Sequence, residues 1–228
     1  MPHAPPPSTL LPPSAQLERT WTQAPAFETW LPTAVKNREL WGGLYARTRL
    51  PGWALEAVRE VRSPVRLLAL SADWCGDAVN SLPWVARLAE ASPMLELRVL
   101  EQDDHPALMA AHLTGGSSRS IPVVMAFDAS WRERGWWGPR PAALQAWVLG
   151  EAPGEGKSFP PDERYARVRR WYARDRGVSI LRESLITAGV PASRIPAAAF
   201  QVSALPGAGG REKAVARASC DPGATAPP

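Results

Sequence analysis

At 228 residues the chain has enough length for one compact domain with additions, and two full domains would be a tight fit. Its 25 Pro and 11 Trp stand well above ordinary usage, and Pro is gathered at the two ends, which are expected to be disordered. A formal charge of +4, set largely by arginines in the last third, is weak ground for a nucleic-acid partner, and only two cysteines, Cys75 and Cys220, exclude a disulfide framework.

The opening "MPHAPPPSTLLPPS" has neither the basic start nor the apolar run of a secretory signal, so residues 1–13 read as a disordered Pro-rich terminus. No stretch approaches the roughly 18 apolar residues of a membrane helix, and a cytoplasmic location without a membrane partner is expected. Residues 14–60 read as a helical N-terminal extension. Trp21, Trp30, Trp41 and Trp53 recur there without a constant interval, so they are packing anchors rather than marks of a repeat.

After Ser63 and Pro64, "VRLLAL" is a short apolar run suited to a buried strand. Val79, Leu82, Val85, Ala86 and Ala89 then fall at helical spacing up to Pro93. "LELRVLE" alternates like a half-buried strand, a short helix follows Pro106, and "SIPVVMAFD" is a strongly apolar strand with "SWRERGWWG" as its hairpin partner. Pro139 and Pro141 open a last helix, "AALQAWVLGE". The order over residues 61–151 is therefore β, α, β, α, β, β, α. Residues 152–161 read as a linker, residues 162–200 as a helical C-terminal addition, and residues 201–228 as a disordered tail poor in large apolar side chains.

Within this frame "SADWCGDAVNSLPWV" places Cys75 where a strand ends and a helix begins. Helix N-terminal amides favour a thiolate there, whereas Asp73 and Asp77 oppose it by like charge unless they cap the helix or face solvent. Cys75 is thus either a nucleophile or a small buried residue in a turn. Capping is the simpler role for Asp77.

These residues carry a family resemblance. "SADWCGDA" resembles the active-site turn of the thioredoxin superfamily, whose usual form is Trp-Cys-Gly-Pro-Cys. Pro83 matches the proline that kinks the following helix, "SRSIPVV" resembles the loop whose cis proline faces the cysteine, and Gly138 matches the glycine before the last helix. The resemblance implies an α/β fold with a thioredoxin-like central sheet flanked by helices, here with helical N- and C-terminal additions.

Two departures bear on function. Ala78 stands where a dithiol protein has its second cysteine, and Ala69 where thioredoxins bury an aspartate, so the motif is monothiol. The resemblance then implies thiol-disulfide exchange, with Cys75 as nucleophile on a protein or low-molecular-weight thiol or disulfide. Trp74, Gly76, Asp77, Ile121 and Pro122 would form the substrate-binding groove. The alternative is a redox-inactive thioredoxin-fold module that binds a protein partner. Trp74 either joins that docking surface or packs under the turn. Cys220 could reach Cys75 along a flexible tail, but nothing else supports a resolving role.

Other signals carry less. "GEAPGEGKS" misses the phosphate-loop spacing by one residue and follows a helix where a strand is required. His105 and His112, with Asp103 and Asp104, match no ligand spacing and read as solvated turn residues; no metal and no cofactor is expected. The arginine-bearing helix "RYARVRRWYARDR" reads as a solvated basic face, with its aromatics on one packing stripe, and nucleic acid is not expected.

Overall fold

The computed structural model describes residues 2–151 and 156–196. Cys220 and the tail beyond residue 196 lie outside the described residues.

The N-terminal extension forms α1 (Ser14–Gln23), α2 (Phe27–Trp30), α3 (Arg38–Arg47) and α4 (Gly52–Ala57). The chain then enters β1 (Val65–Ser71), α5 (Gly76–Glu90), β2 (Leu95–Glu101), α6 (Pro106–Ala111), β3 (Val123–Phe127), β4 (Glu133–Trp137) and α7 (Ala142–Leu149), followed by α8 (Pro161–Asp175) and α9 (Val178–Thr187). The strands make one sheet in the order β2-β1-β3-β4. β1 runs parallel to β2, with Ala69 opposite Val99, and antiparallel to β3, with Ala69 opposite Val124. β3 and β4 form the antiparallel hairpin expected from their sequences, with an irregularity near Phe127. The result is the expected mixed α/β sheet flanked by helices.

Burial explains the composition of these elements. β1 and β3 are central and almost wholly buried, so they read as continuous apolar runs; β2 lies at an edge and alternates. α5 turns Ala78, Val79, Leu82, Val85, Ala86 and Ala89 into the core, and Pro83 sits inside the helix. Beside α5 lie α3 and α9, and α9 also packs on β4. The helix laid across the outer hairpin thus comes from the segment expected to be a C-terminal addition, while α7 packs against α8 instead. Gly177, between α8 and α9, has φ +75 and approaches Trp84 so closely that a Cβ would lie 2.2 Å from the indole.

The sheet has two edges, and N-terminal residues meet both. At β2, Ala26 bridges Arg98, the Val99 amide donates to Pro25 O at 3.0 Å, and the Arg98 guanidinium donates to Trp21 O and Ala24 O at the end of α1. At β4, within the terminus expected to be disordered, His3 bridges Trp136. Trp21, Trp30 and Trp41 are buried in the common core, as packing anchors should be, and Trp53 packs against it from a partly buried position.

Trp41 is completely buried, packs edge-on against Trp30 at 5.0 Å and donates its indole N–H to Asp73 O at 2.9 Å. Trp41→Ala should therefore cost about 3–5 kcal/mol of stability. Urea unfolding followed by far-UV circular dichroism would show one transition at a lower midpoint; an unchanged midpoint would mean that the extension does not unfold together with the sheet.

Candidate functional site

The candidate site lies where β1 gives way to α5. The chain turns after Ala72, whose carbonyl accepts the Cys75 amide at 3.1 Å, and Cys75 then serves as the residue preceding α5, its carbonyl accepting the Val79 amide at 3.0 Å. Asp73 ties this turn to the extension. Its Oδ2 accepts the amides of Val35 and Lys36, both at 2.8 Å, and its carbonyl accepts the Asn37 side-chain amide and the Trp41 indole. Asp73 thus takes donors from a separate part of the chain.

Cys75 is buried, 6% exposed, and its thiol donates to Ile121 O at 3.4 Å. The Ile121-Pro122 peptide is cis, and the Ile121 carbonyl beside it is the group that the thiol meets. Burial pushes the thiol up from its ordinary 9.0 to about 12, and the neighbouring Asp77 carboxylate adds to that rise. The amides of Ala78 and Asp77, which face the sulfur, and the Arg140 charge pull the other way and are outweighed. In this arrangement the sulfur is a protonated donor.

Asp77 does not cap α5 with its side chain. One carboxylate oxygen pairs with Arg140 at 2.6 Å, and the other accepts the Tyr172 hydroxyl at 3.0 Å. Arg140 comes from the "WGPRP" loop and also donates to Gln145 Oε1 at 2.9 Å. Tyr172 comes from α8, and its phenol stays protonated because burial, then the Asp77 charge, raises it well above its ordinary value. Three segments thus converge next to the thiol. Arg140 lies between Pro139 and Pro141, which the sequence marked only as the opening of a helix. Tyr172 lay on a helix face that predicted packing alone, and nothing in its spacing pointed 95 residues back to Asp77.

The remaining expected residues divide by exposure. Trp74 is 39% exposed on the rim, Gly76 is half-buried, and Ile121 and Pro122 are buried beneath the turn. Ala78 and Ala69 are both fully buried. Gly138 lies against the cis-proline loop: at φ +134, a Cβ there would fall 2.0 Å from Pro122 O.

His112 is not the solvated turn residue that its sequence context suggested. The end of α6 carries it under β4, where it is fully buried, with Nδ1 2.7 Å from Leu108 O and Nε2 3.0 Å from Glu133 Oε2. This pair satisfies buried polar atoms in the core. The expected face of α8 also divides, because Val168, Trp171 and Tyr172 are buried while Tyr165 is 38% exposed. Among the described residues no helix is long and apolar enough to cross a membrane.

Known proteins share this geometry at the level of the fold. No curated protein matches the chain. Among solved structures it is similar to a protein of unknown function from Pseudomonas aeruginosa, with 17% identity and a TM-score of 0.53 over 73% of this chain and 93% of that one. It is also similar to an HIV epitope-scaffold, with 16% identity and a TM-score of 0.51 over 75% and 95%. A thioredoxin family model matches residues 24–159, more than half of the chain, beginning inside the N-terminal helices rather than at β1. With that match spanning the Cys75 turn, the cis-proline loop and the helices that Asp73 anchors, the chain belongs to the thioredoxin family.

Proposed function

We propose that this chain is a thioredoxin-fold binding module, in which the groove beside Cys75 holds a partner and the thiol is a structural donor. One observation carries the reading: the sulfur is buried and donates a hydrogen bond to Ile121 O, next to Asp77 with its partners Arg140 and Tyr172. A working nucleophile needs an exposed sulfur with its proton removed. The groove offers an exposed Trp74 beside the cis-proline turn, which suits an extended protein segment with an apolar anchor.

A second reading, monothiol exchange, is favoured by the two backbone amides that face the sulfur. In that chemistry the Cys75 thiolate bonds to one sulfur of a mixed disulfide and releases the other as a thiolate, and a second small thiol then regenerates Cys75. It requires the sulfur, 6% exposed here, to become accessible and deprotonated.

Alkylation of Cys75 against pH, followed by intact mass in a Cys220→Ser background, separates the two. The binding-module reading expects negligible modification at pH 7 and a rise only on the alkaline side of 9.0. Rapid modification at neutral pH, titrating below the free-cysteine value of about 8.5, would establish the exchange reading instead.

Stability gives an independent check with a definite sign. Because the folded-state pKa lies above the unfolded one, the folded chain holds the proton more tightly; the contribution is fully present below 9.0 and is lost as pH rises toward about 12. The stability of the native chain relative to Cys75→Ala should therefore fall by about 1 kcal/mol per pH unit in that window and stay flat near pH 7. A difference independent of pH across the window would show that the thiol is not held protonated by the fold.

A further inference from the structure

The two sheet edges are covered to very different depths. At β2 the cover is built in: Pro25 and Ala26 pair with the strand, Arg98 ties the end of α1, and Trp30 donates to Glu101 at 3.0 Å. At β4 the main-chain pairing seen among the described residues is a single isolated bridge. The His3 amide donates to Trp136 O at 2.8 Å, and the Trp136 amide donates to His3 O at 3.2 Å, an isolated antiparallel bridge. The imidazole stacks on the Trp136 ring at 3.8 Å with planes 15° apart, and Nε2 lies 3.0 Å from Gly138 O.

This contact has the features of a built recess. Trp136 gives both main-chain groups to His3, offers a flat ring for stacking, and meets the buried His112 ring at 5.6 Å, edge to face. Gly135, with φ +154, leaves room for the incoming backbone, since a Cβ there would lie 2.7 Å from His3 O. Gly138 O supplies a second acceptor, for the imidazole. Yet His3 is itself exposed, and the prolines that follow it carry no amide hydrogen to extend the pairing at their positions. An open strand edge with one weakly buried occupant is a place where another extended chain can add.

We propose that the outer edge of β4 is a strand-addition site for an extended, proline-flanked peptide carrying a histidine ring, and that residues 2–4 occupy it in cis. The ring stacks on Trp136 and bonds Gly138 O, while the main chain pairs with Trp136. Its occupant contacts the same Gly138 that lies against Pro122, so the edge adjoins the Cys75 groove through that glycine.

The Trp136 amide reports occupancy directly, because its acceptor is His3 O. Hydrogen exchange by NMR on the full chain should find it protected. In His3→Ala its protection should fall at least about tenfold, while the Val99 amide, bonded to Pro25 on the opposite edge, keeps its own. Adding the peptide Pro-His-Ala-Pro-Pro-Pro should restore protection saturably in His3→Ala, and the same peptide with alanine for histidine should not. The proposal is overturned if His3→Ala leaves the Trp136 amide unchanged, if both peptides act alike, or if the histidine peptide restores nothing at millimolar concentration. Protection that returns with protein concentration and accompanies a dimer in sedimentation would also overturn it, because a second copy would then be the occupant.

Discussion

The arrangement around the candidate site depends on four donors that converge on Asp73. Two backbone amides reach its carboxylate, and an asparagine amide and a tryptophan indole reach its carbonyl. A turn joining a buried strand to a helix exposes polar main-chain groups, and leaving them unpaired would cost more than each bond returns. By supplying those partners from residues 35–41, the fold makes the N-terminal helices a support for the cysteine turn. That the family match begins at residue 24 is consistent with this dependence.

Once the turn is fixed, the chemistry at Cys75 is a contest between local and tertiary electrostatics. The helix start alone lowers a thiol pKa. Here burial dominates and the adjacent Asp77 reinforces it, so the balance falls on the protonated side. Arg140 and Tyr172 meet both oxygens of the Asp77 carboxylate in this confined place. Removing either partner would leave a poorly compensated carboxylate beside the sulfur. The segments carrying Arg140 and α8 are thereby held against the start of α5.

A similar use of the N-terminal residues appears at the sheet margins, where they meet open strands. Open edges invite association, and covering them is a general answer. The β2 edge is closed by residues woven into the core, whereas the β4 edge carries one stacked histidine on Trp136. A tightly integrated cover is structural, and a lightly held one leaves the edge available for exchange.

The alternation of "LELRVLE", the apolar runs of β1 and β3, the helical spacing after Cys75 and the hairpin residues were each legible because they express local rules of period, burial and turn formation. The identities of Ala78 and Ala69, on which the expectation of a single-thiol motif rests, were equally plain. By contrast, the burial of Cys75, the turning of Asp77 toward Arg140 and Tyr172, the inward His112 and the placing of α9 across β4 are contacts between residues far apart in sequence. Spacing reports which face of an element is apolar, but it does not say which other element that face meets. Whether a cysteine at a helix start is a thiolate or a buried thiol depends on what covers it, so sequence by itself determined the residue and its turn, and only tertiary packing decided its protonation.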